Sequence, residues 1–133
     1  MPWLCAFTGA RVGELAQLRK EDVWQEGELT VIRITPEAGT VKTNEAREVP
    51  LHAQLVELGF SDFVKSCGAG HLFLNVKPGG ATRGRLRSVK NRSAEFSRGI
   101  VSDPNVAPNH GWRHRFKTVG MEVGIAPRIL DAI

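Results

Sequence analysis

The chain has 133 residues, and its 41% hydrophobic and 24% charged content is typical of a globular protein with a single core. The formal net charge of +4 fits a polyanionic partner without requiring one. The longest apolar stretch, near Pro2 to Phe7, is too short to cross a bilayer, and it lacks the charged start and cleavage site of a signal peptide. We therefore expect a cytoplasmic protein with no membrane partner.

The first part of the chain predicts two helices. Residues 3–7 look like the end of an apolar helix that Gly9 stops. Apolar residues at helical spacing predict a second, short helix from about Ala10 to Leu18. Arg11 would then lie in the first turn of this helix, with Thr8 as its cap.

A small sheet is predicted next. Val23-Trp24 starts the first strand, Glu26-Gly27 forms a turn, and the β-branched run Leu29–Ile34 is typical of a second strand. Arg47–Pro50 is predicted as a short last strand, with Lys42-Thr43 on or near the hairpin turn before it. The pattern predicts an α+β, mainly α domain with a three-stranded antiparallel sheet.

The rest of the chain predicts helices joined by loops. One helix runs from about Leu51 to Lys65, and residues 77–80 form a loop. A basic helix follows, then a helix that Gly124 ends, and Pro127 begins a final helix. The apolar positions that predict the three helices before the last are Leu51, Leu55 and Leu58; Leu86, Val89, Ser93 and Phe96; and Trp112, Phe116, Val119 and Val123.

Two separated arginines and a histidine are the strongest candidates for chemistry. Arg11 lies in TGARVGEL, and His110 and Arg113 lie in NHGWRH. A guanidinium group offers a rigid fork of donors that matches phosphate oxygens, so this set is suited to holding one phosphate. Each residue also has a simpler interpretation: Arg11 pairs with Glu14 within the helix, and His110 is a capping or packing residue.

Read together, three segments resemble one protein family. TGARVGELAQLRKEDV resembles the first signature of the tyrosine recombinases, or phage-type integrases, TG-x-R-x-x-E-L. VKTNEAREVPL resembles the β-hairpin segment of that family, in which a lysine precedes a strand ending in V-P-L. HGWRHRFKT resembles the second signature, H-x-x-R-H. The order and spacing of the three segments also agree with the family.

The resemblance implies a DNA breaking-rejoining catalytic fold and a role for each matching residue. Arg11 and Arg113 would bind the scissile phosphate, Lys42 would be the general acid, and His110 the general acid/base. Glu14 would order the first arginine and His114 would support the second. The implied partner is double-stranded DNA bound by a tetramer of the parent protein, from a phage or mobile element. Residues expected to contact DNA phosphates are Arg85, Arg87, Lys90, Arg92, Arg115 and Lys117. The implied chemistry needs no metal or other cofactor.

The sequence departs from the family in one respect, because it contains no tyrosine. We expect that residues 1–133 form a partial catalytic domain, without the N-terminal DNA-binding domain and the C-terminal segment that carries the nucleophile. Such a chain would not cleave DNA covalently. The last helix would carry apolar residues in need of cover, and we expect these residues either to dimerise the chain or to be buried within it.

Three alternatives stay open. The first is a zinc site, because His110 and His114 have the spacing of a zinc-binding pair, although Gly111 stands where a zinc protease needs glutamate. Cys5 and Cys67 are far apart in the sequence and are expected to be reduced thiols. The chain is alternatively a non-catalytic basic module that only binds DNA. A type IB topoisomerase shares the same chemistry, but the short hairpin segment favours a recombinase.

Overall fold

The fold was obtained as a computed structural model that describes residues 1–39, 41, 44–76 and 80–132. Helices and a small sheet alternate within these ranges, as the sequence predicted. The α-helices described are α1 (Pro2–Thr8), α2 (Val12–Ala16), α3 (Ala53–Glu57), α4 (Phe60–Ser66), α5 (Arg83–Ile100), α6 (Gly111–Glu122) and α7 (Pro127–Ala132). None of the helices in the described ranges is both long enough and apolar enough to cross a bilayer.

The three predicted strands form one antiparallel sheet in the order β1 (Val23–Glu26), β2 (Leu29–Ile34) and β3 (Arg47–Pro50). Ile32 lies at the centre, opposite Val23 on one side and Val49 on the other. It is completely buried because both neighbouring strands cover its edges and helices cover its face. The sheet prediction is confirmed in strand bounds and in orientation.

The core joins the two N-terminal helices to this sheet and to the helices after it. Leu15 at the centre of α2 is fully buried, and Trp112 of α6 packs against the same core from outside. The buried members of this core are Leu4, Cys5, Ala10, Val12, Leu15, Leu18, Ile32, Ile34, Val41, Val49, Leu51, Leu55, Phe60, Val64 and Leu72. Burial of the apolar face of α2 fixes the residue at its start, Arg11, relative to the sheet.

The single helix predicted from Leu51 to Lys65 is wrong. Two short helices, α3 and α4, replace it, and Gly59 separates them with a left-handed φ of 88°. Leu55 is buried as predicted, but Leu58 is 60% exposed because the chain turns there and directs its side chain outward. A glycine at such a position favours the turn since a left-handed conformation costs it nothing.

Two further helix predictions need correction. The second helix is shorter than predicted, and Thr8 does not cap it: the Thr8 hydroxyl donates to the carbonyl of Leu4 and accepts from the amide of Ala10. The predicted apolar face of α6 holds only in part, since Val119 and Val123 are exposed. The inward face of α6 instead carries Arg113 and Gly120. Because Gly120 has no side chain, Leu130 packs closely against the helix at that point.

The basic helix α5 also differs from its predicted face. Ser93 and Ser97 are its buried residues, whereas Phe96 is 57% exposed. Trp112 of α6 reaches Ser97 and donates its indole N–H to the serine hydroxyl at 3.3 Å. The inward face of α5 is therefore lined by small polar residues, and its longer basic side chains project from the other faces.

Candidate phosphate-binding site

Arg11 is held at the corner between α1 and α2. Gly9 ends α1 with a left-handed φ of 67°, and Arg11 then precedes α2 in an extended conformation as its N-cap. The Glu14 carboxylate accepts from the Arg11 backbone amide at 3.1 Å and from its guanidinium at 3.2 Å. The intrahelical ion pair considered from the sequence is thus present. It also restrains the arginine that the resemblance assigns to phosphate.

Glu14 is a buried carboxylate, 5% exposed, and it has a second cationic partner. Arg47, at the start of β3, donates from Nη2 to Glu14 Oε2 at 2.6 Å. Burial by itself raises the pKa of Glu14, but the Arg47 hydrogen bond, the Arg11 backbone amide and the two guanidinium charges lower the pKa below its usual value overall. Glu14 is therefore ionised at neutral pH.

Arg113 approaches the same corner from α6. It is 9% exposed, and its Nη1 donates to the carbonyl oxygen of Gly9 at 2.6 Å. The Phe116 ring packs so closely on Gly9 that a Cβ atom at this position would lie 2.8 Å from Cγ of the ring. Burial lowers the pKa of Arg113, as do the nearby charges of Arg11 and Arg47. It stays a cation at neutral pH because its starting pKa is so high.

The three guanidinium groups line one small cavity of about 160 Å³. This volume is several times the roughly 30 Å³ that one water molecule occupies in the liquid, so a polyatomic anion fits there. The cavity is lined by Arg11, Glu45, Ala46, Arg47, Arg113, Asp131 and Ala132. We call it the arginine pocket. Its acidic lining residues are Glu45 and Asp131, and Asp131 forms an ion pair with Lys117. Glu14 is not part of the lining but pairs with Arg11.

A larger groove, about 1330 Å³, opens on the other side of Arg11, between α2 and α5. Arg83, Arg87 and Lys90 line it from α5, at positions i, i+4 and i+7 that share one helical face. Its remaining lining residues are Arg11, Val12, Gly13, Glu14, Gln17, Thr82, Gly84, Leu86, Asn91, Asn109 and His110. Because Arg11 borders both spaces, the arginine pocket adjoins a basic groove, which we call the α2–α5 groove.

Comparison with known proteins gives a match in structure only. No protein family profile and no curated protein matches the chain by sequence. The XerH site-specific recombinase, in its pre-cleavage complex with difH substrate, matches with a TM-score of 0.69 and 20% identity, over 98% of this chain and 37% of that one. The chain has the catalytic fold of the tyrosine recombinases.

Two further recombinase structures match equally well. XerA recombinase gives a TM-score of 0.67 at 20% identity, over 97% of this chain and 45% of that one. The Tn1549 transposon integrase, in complex with a circular intermediate DNA, gives 0.66 at 20% identity, over 98% and 48%. The chain therefore spans less than half the length of each of these solved recombinase chains.

Within this recombinase fold, the predicted site residues fall into separate groups. Arg11 and Arg113 meet in the arginine pocket, and Glu14 lies behind Arg11. His110, immediately before α6, lines the α2–α5 groove together with Arg11, and its ring meets that of His114 edge to face at 4.9 Å. Lys42, the predicted general acid, lies outside the described residues, as do Thr43, three residues of the predicted 77–80 loop and Ile133.

The residues predicted to contact DNA phosphates do not all share one surface. Arg87 and Lys90 line the α2–α5 groove, whereas Arg85 and Arg92 lie on an exposed part of the same helix outside it. On α6, Arg115 is exposed and borders neither space, and Lys117 pairs with Asp131. Arg83, which the sequence placed beside this set, lines the groove as well. The recombinase fold therefore divides a basic run of sequence into two faces.

Sequence reasoning missed Arg47. It lies within VKTNEAREVPL, but only the lysine of that segment was considered for a role. The available signal was a basic residue at the first position of a strand that follows the hairpin. Its partner, Glu14, lies 33 residues earlier, and only the folded chain shows that the two meet.

In the part of the chain that it describes, the structure brings no third metal ligand to His110 and His114, the pair that suggested a zinc site. Within the described residues, no group of three or more histidine, cysteine, aspartate or glutamate side chains is close enough to hold a metal ion. Cys5 is buried in the core and Cys67 is half-buried, and both are free thiols. The two histidines that prompted this alternative contact each other through their rings, edge to face.

Proposed function

We propose that this chain forms part of the catalytic domain of a tyrosine-type site-specific recombinase, which cleaves and religates DNA strands. The observation that carries the proposal is the meeting of Arg11 and Arg113, from opposite ends of the sequence, in one small pocket. Two of the solved recombinases that share the fold, XerH and the Tn1549 transposon integrase, are in complex with difH substrate and with circular intermediate DNA. Double-stranded DNA is therefore the proposed partner.

The proposed reaction begins with a tyrosine oxygen attacking a backbone phosphorus. The phosphorus becomes crowded and its non-bridging oxygens gain negative charge. Arg11 and Arg113 would donate to these oxygens from positions fixed in advance, and each preplaced donor of this kind contributes about 3 kcal/mol to transition-state stabilisation. Arg113 is suited to this role because its guanidinium is held in place by a neutral backbone carbonyl, that of Gly9.

The departing group in this scheme is the 5′ oxygen of the next nucleotide. As the phosphorus–oxygen bond to it breaks, a proton must reach that oxygen, since a bare alkoxide leaves poorly. On the resemblance, Lys42 would donate this proton, and His110 would move the proton of the tyrosine hydroxyl. His110 lies on the groove that Arg11 also borders, which supports this placement. The reverse reaction, with another strand's 5′ hydroxyl, religates the DNA.

The nucleophile has to come from outside these 133 residues, which contain no tyrosine. We propose that the residues supply phosphate binding, and that the parent protein supplies the tyrosine and works as a tetramer on DNA. This can be tested by fusing a C-terminal segment that carries a glycine-histidine step and a tyrosine. With labelled duplex DNA, the fusion should yield a covalent protein–DNA adduct, and Arg11→Ala or Arg113→Ala should abolish it.

The same assay separates this proposal from a second candidate, a non-catalytic DNA-binding module. That candidate is favoured by the lack of tyrosine and by the basic α2–α5 groove. A fusion that binds duplex DNA tightly but never forms an adduct would support the binding module and contradict the recombinase. An adduct from the unmodified 133-residue chain would contradict the need for an outside nucleophile.

Binding in the α2–α5 groove can be tested separately by salt dependence. We propose that Arg83, Arg87 and Lys90 contact phosphates of the duplex that flanks the arginine pocket. Changing both Arg87 and Lys90 to Gln should reduce the slope of log affinity against log salt by about 2, since each phosphate contact contributes about 0.9. The matched control changes Arg85 and Arg92, on the same helix but outside the groove. Equal effects of the two pairs would contradict the groove assignment.

Self-association is proposed for the C-terminal helices. Val123, Ile125 and Ile129 are 70%, 39% and 50% exposed, whereas Leu130 is buried at 2%. Among the described residues of the apolar surface expected from the sequence, Leu130 is covered, whereas Ile125 and Ile129 are not. Light scattering over a range of concentrations should show a dimer, and a monomer at all concentrations would contradict this part of the proposal.

A further inference from the structure

We infer that Arg47 is a positioning residue of the arginine pocket: it anchors the Glu14 carboxylate to the sheet, and Glu14 in turn fixes the guanidinium of Arg11. The inference rests on the proposed function, since it concerns how the pocket holds a phosphate. It adds a residue to which the resemblance gives no role.

The contacts form a chain of three side chains from the sheet to the pocket. Arg47 begins β3, where the ladder to β2 pairs it with Ile34, and it donates to Glu14 Oε2 at 2.6 Å. Oε1 of the same carboxylate accepts from Arg11 Nη1 at 3.2 Å. The two guanidinium groups therefore bind different oxygens of one buried carboxylate, and the Arg11 backbone amide shares Oε2 with Arg47. Moving Arg47 would move the carboxylate, and with it the group that orients Arg11.

Burial makes this arrangement stiffer than a surface ion pair. The side chains of Glu14 and Arg47 are 3% and 14% exposed, whereas the Arg33–Glu48 pair on the same two strands is 54% and 49% exposed. Exposed pairs contribute little because water screens them and both side chains stay mobile. Arg47 Nε is buried without a hydrogen-bond partner among the described residues, so the Glu14 contact is what orients its guanidinium there.

Arg47 also changes the charge balance at the pocket, because Glu14 is the ion-pair partner of both Arg11 and Arg47. With Arg47 present, one carboxylate is shared between two cations, so positive charge remains for an incoming anion. We therefore expect Arg47 to act on phosphate affinity through the placement of Arg11.

The test is a double-mutant cycle with inorganic phosphate as the probe, read by NMR titration of the 133-residue chain. Arg47→Lys keeps the charge but loses the planar fork, so its effect reports geometry. In the otherwise unchanged chain it should weaken phosphate binding about fivefold, within the coupling range of residues in one ion-pair network. In the Arg11→Ala background the same change should have less than about a twofold effect.

The control is Arg33→Lys, which makes the same change at the exposed pair with Glu48 and should leave phosphate affinity unaltered. A fivefold effect of Arg47→Lys in both backgrounds, or none in either, would overturn the inference. Failure of the proposed function has a different signature, in which Arg11→Ala and Arg113→Ala themselves leave phosphate affinity unchanged. Thermal unfolding of each variant confirms that the affinities refer to folded protein.

Discussion

Gly9→Ala tests whether the corner between α1 and α2 holds the arginine pocket together. Gly9 has a φ of 67°, lies under the Phe116 ring and offers its carbonyl to Arg113. An added methyl group would therefore meet two separate obstacles, one in the backbone conformation and one in the packing of α6 on α1. We expect both stability and anion binding to fall.

The magnitude follows from these two obstacles. A left-handed conformation costs an alanine about 1–2 kcal/mol relative to glycine. The Cβ atom would lie 2.8 Å from Cγ of Phe116, and overpacking of this kind costs about 1–3 kcal/mol more. Gly27 provides the matched control, because it has a similar φ of 59° and nothing within 4 Å of its would-be Cβ. Gly27→Ala should therefore cost only about 1–2 kcal/mol, the backbone part.

Urea unfolding followed by tryptophan fluorescence measures both variants under the same conditions. We expect Gly9→Ala to lose about 2–5 kcal/mol of unfolding free energy, more than Gly27→Ala, and to bind phosphate more weakly because Arg113 loses its fixed partner. If the two variants lose the same stability, the close packing of Phe116 on Gly9 is refuted. If Gly9→Ala binds phosphate normally, the carbonyl does not position Arg113.

Three further outcomes are expected. Because the pKa of Glu14 is lowered in the folded chain, the unfolded chain takes up that proton more readily, so stability should fall as the pH drops below about 4.5. Glu14→Gln should flatten this acid dependence in urea titrations at several pH values, and an unchanged dependence would contradict the shift. Leu130→Ala should cost about 2–4 kcal/mol by calorimetry, because Leu130 is 2% exposed and packs on Gly120; a loss below about 1 kcal/mol would contradict that packing. Burial raises the pKa of the Cys5 thiol to about 12, so iodoacetamide at pH 8 should modify Cys67 first, and rapid labelling of folded Cys5 would contradict its burial.

The sheet was the part of the fold most fully predicted from the sequence. Leu29–Ile34 is rich in β-branched residues, and Gly27 supplies the turn before it, so strand type and bounds follow from local preference. Each strand pairs with the strand next to it in the sequence, in the order β1-β2-β3, which made the pairing predictable as well. Local signals suffice where the contacts are local.

The helices show where local signals fail. Leu51, Leu55 and Leu58 share a helical face in sequence, yet Gly59 breaks the helix and Leu58 faces solvent. Apolar spacing cannot tell a continuous helix from two short ones that pack separately. On α6, a similar pattern missed the buried Arg113, because burial of a charge depends on a carbonyl that lies 104 residues away.

The candidate site also has a part that the sequence indicated and a part that only the folded chain shows. The resemblance indicated Arg11 and Arg113, and both line the arginine pocket, but the role of each in catalysis stays a prediction, as does that of Lys42. What holds the two arginines was not predictable, since a backbone carbonyl carries no sequence signature and Arg47 contacts Glu14 only through the tertiary fold. Residue types identify the cations, whereas the fold identifies what positions them.

The corner between α1 and α2 explains how two like charges are kept together before an anion arrives. The carbonyl of Gly9 holds Arg113, and two residues later Arg11 forms the N-cap of α2, so a single turn of backbone sets the separation of both cations. Mutual repulsion would otherwise drive two flexible arginines apart, and an anion would have to offset the cost of gathering them. In the folded chain Glu14 already orients Arg11, and the Gly9 carbonyl already orients Arg113. On the proposed function, this arrangement would preorganise the pocket for a phosphate. Variants of these two anchors should therefore weaken anion binding without changing any group that would touch the anion.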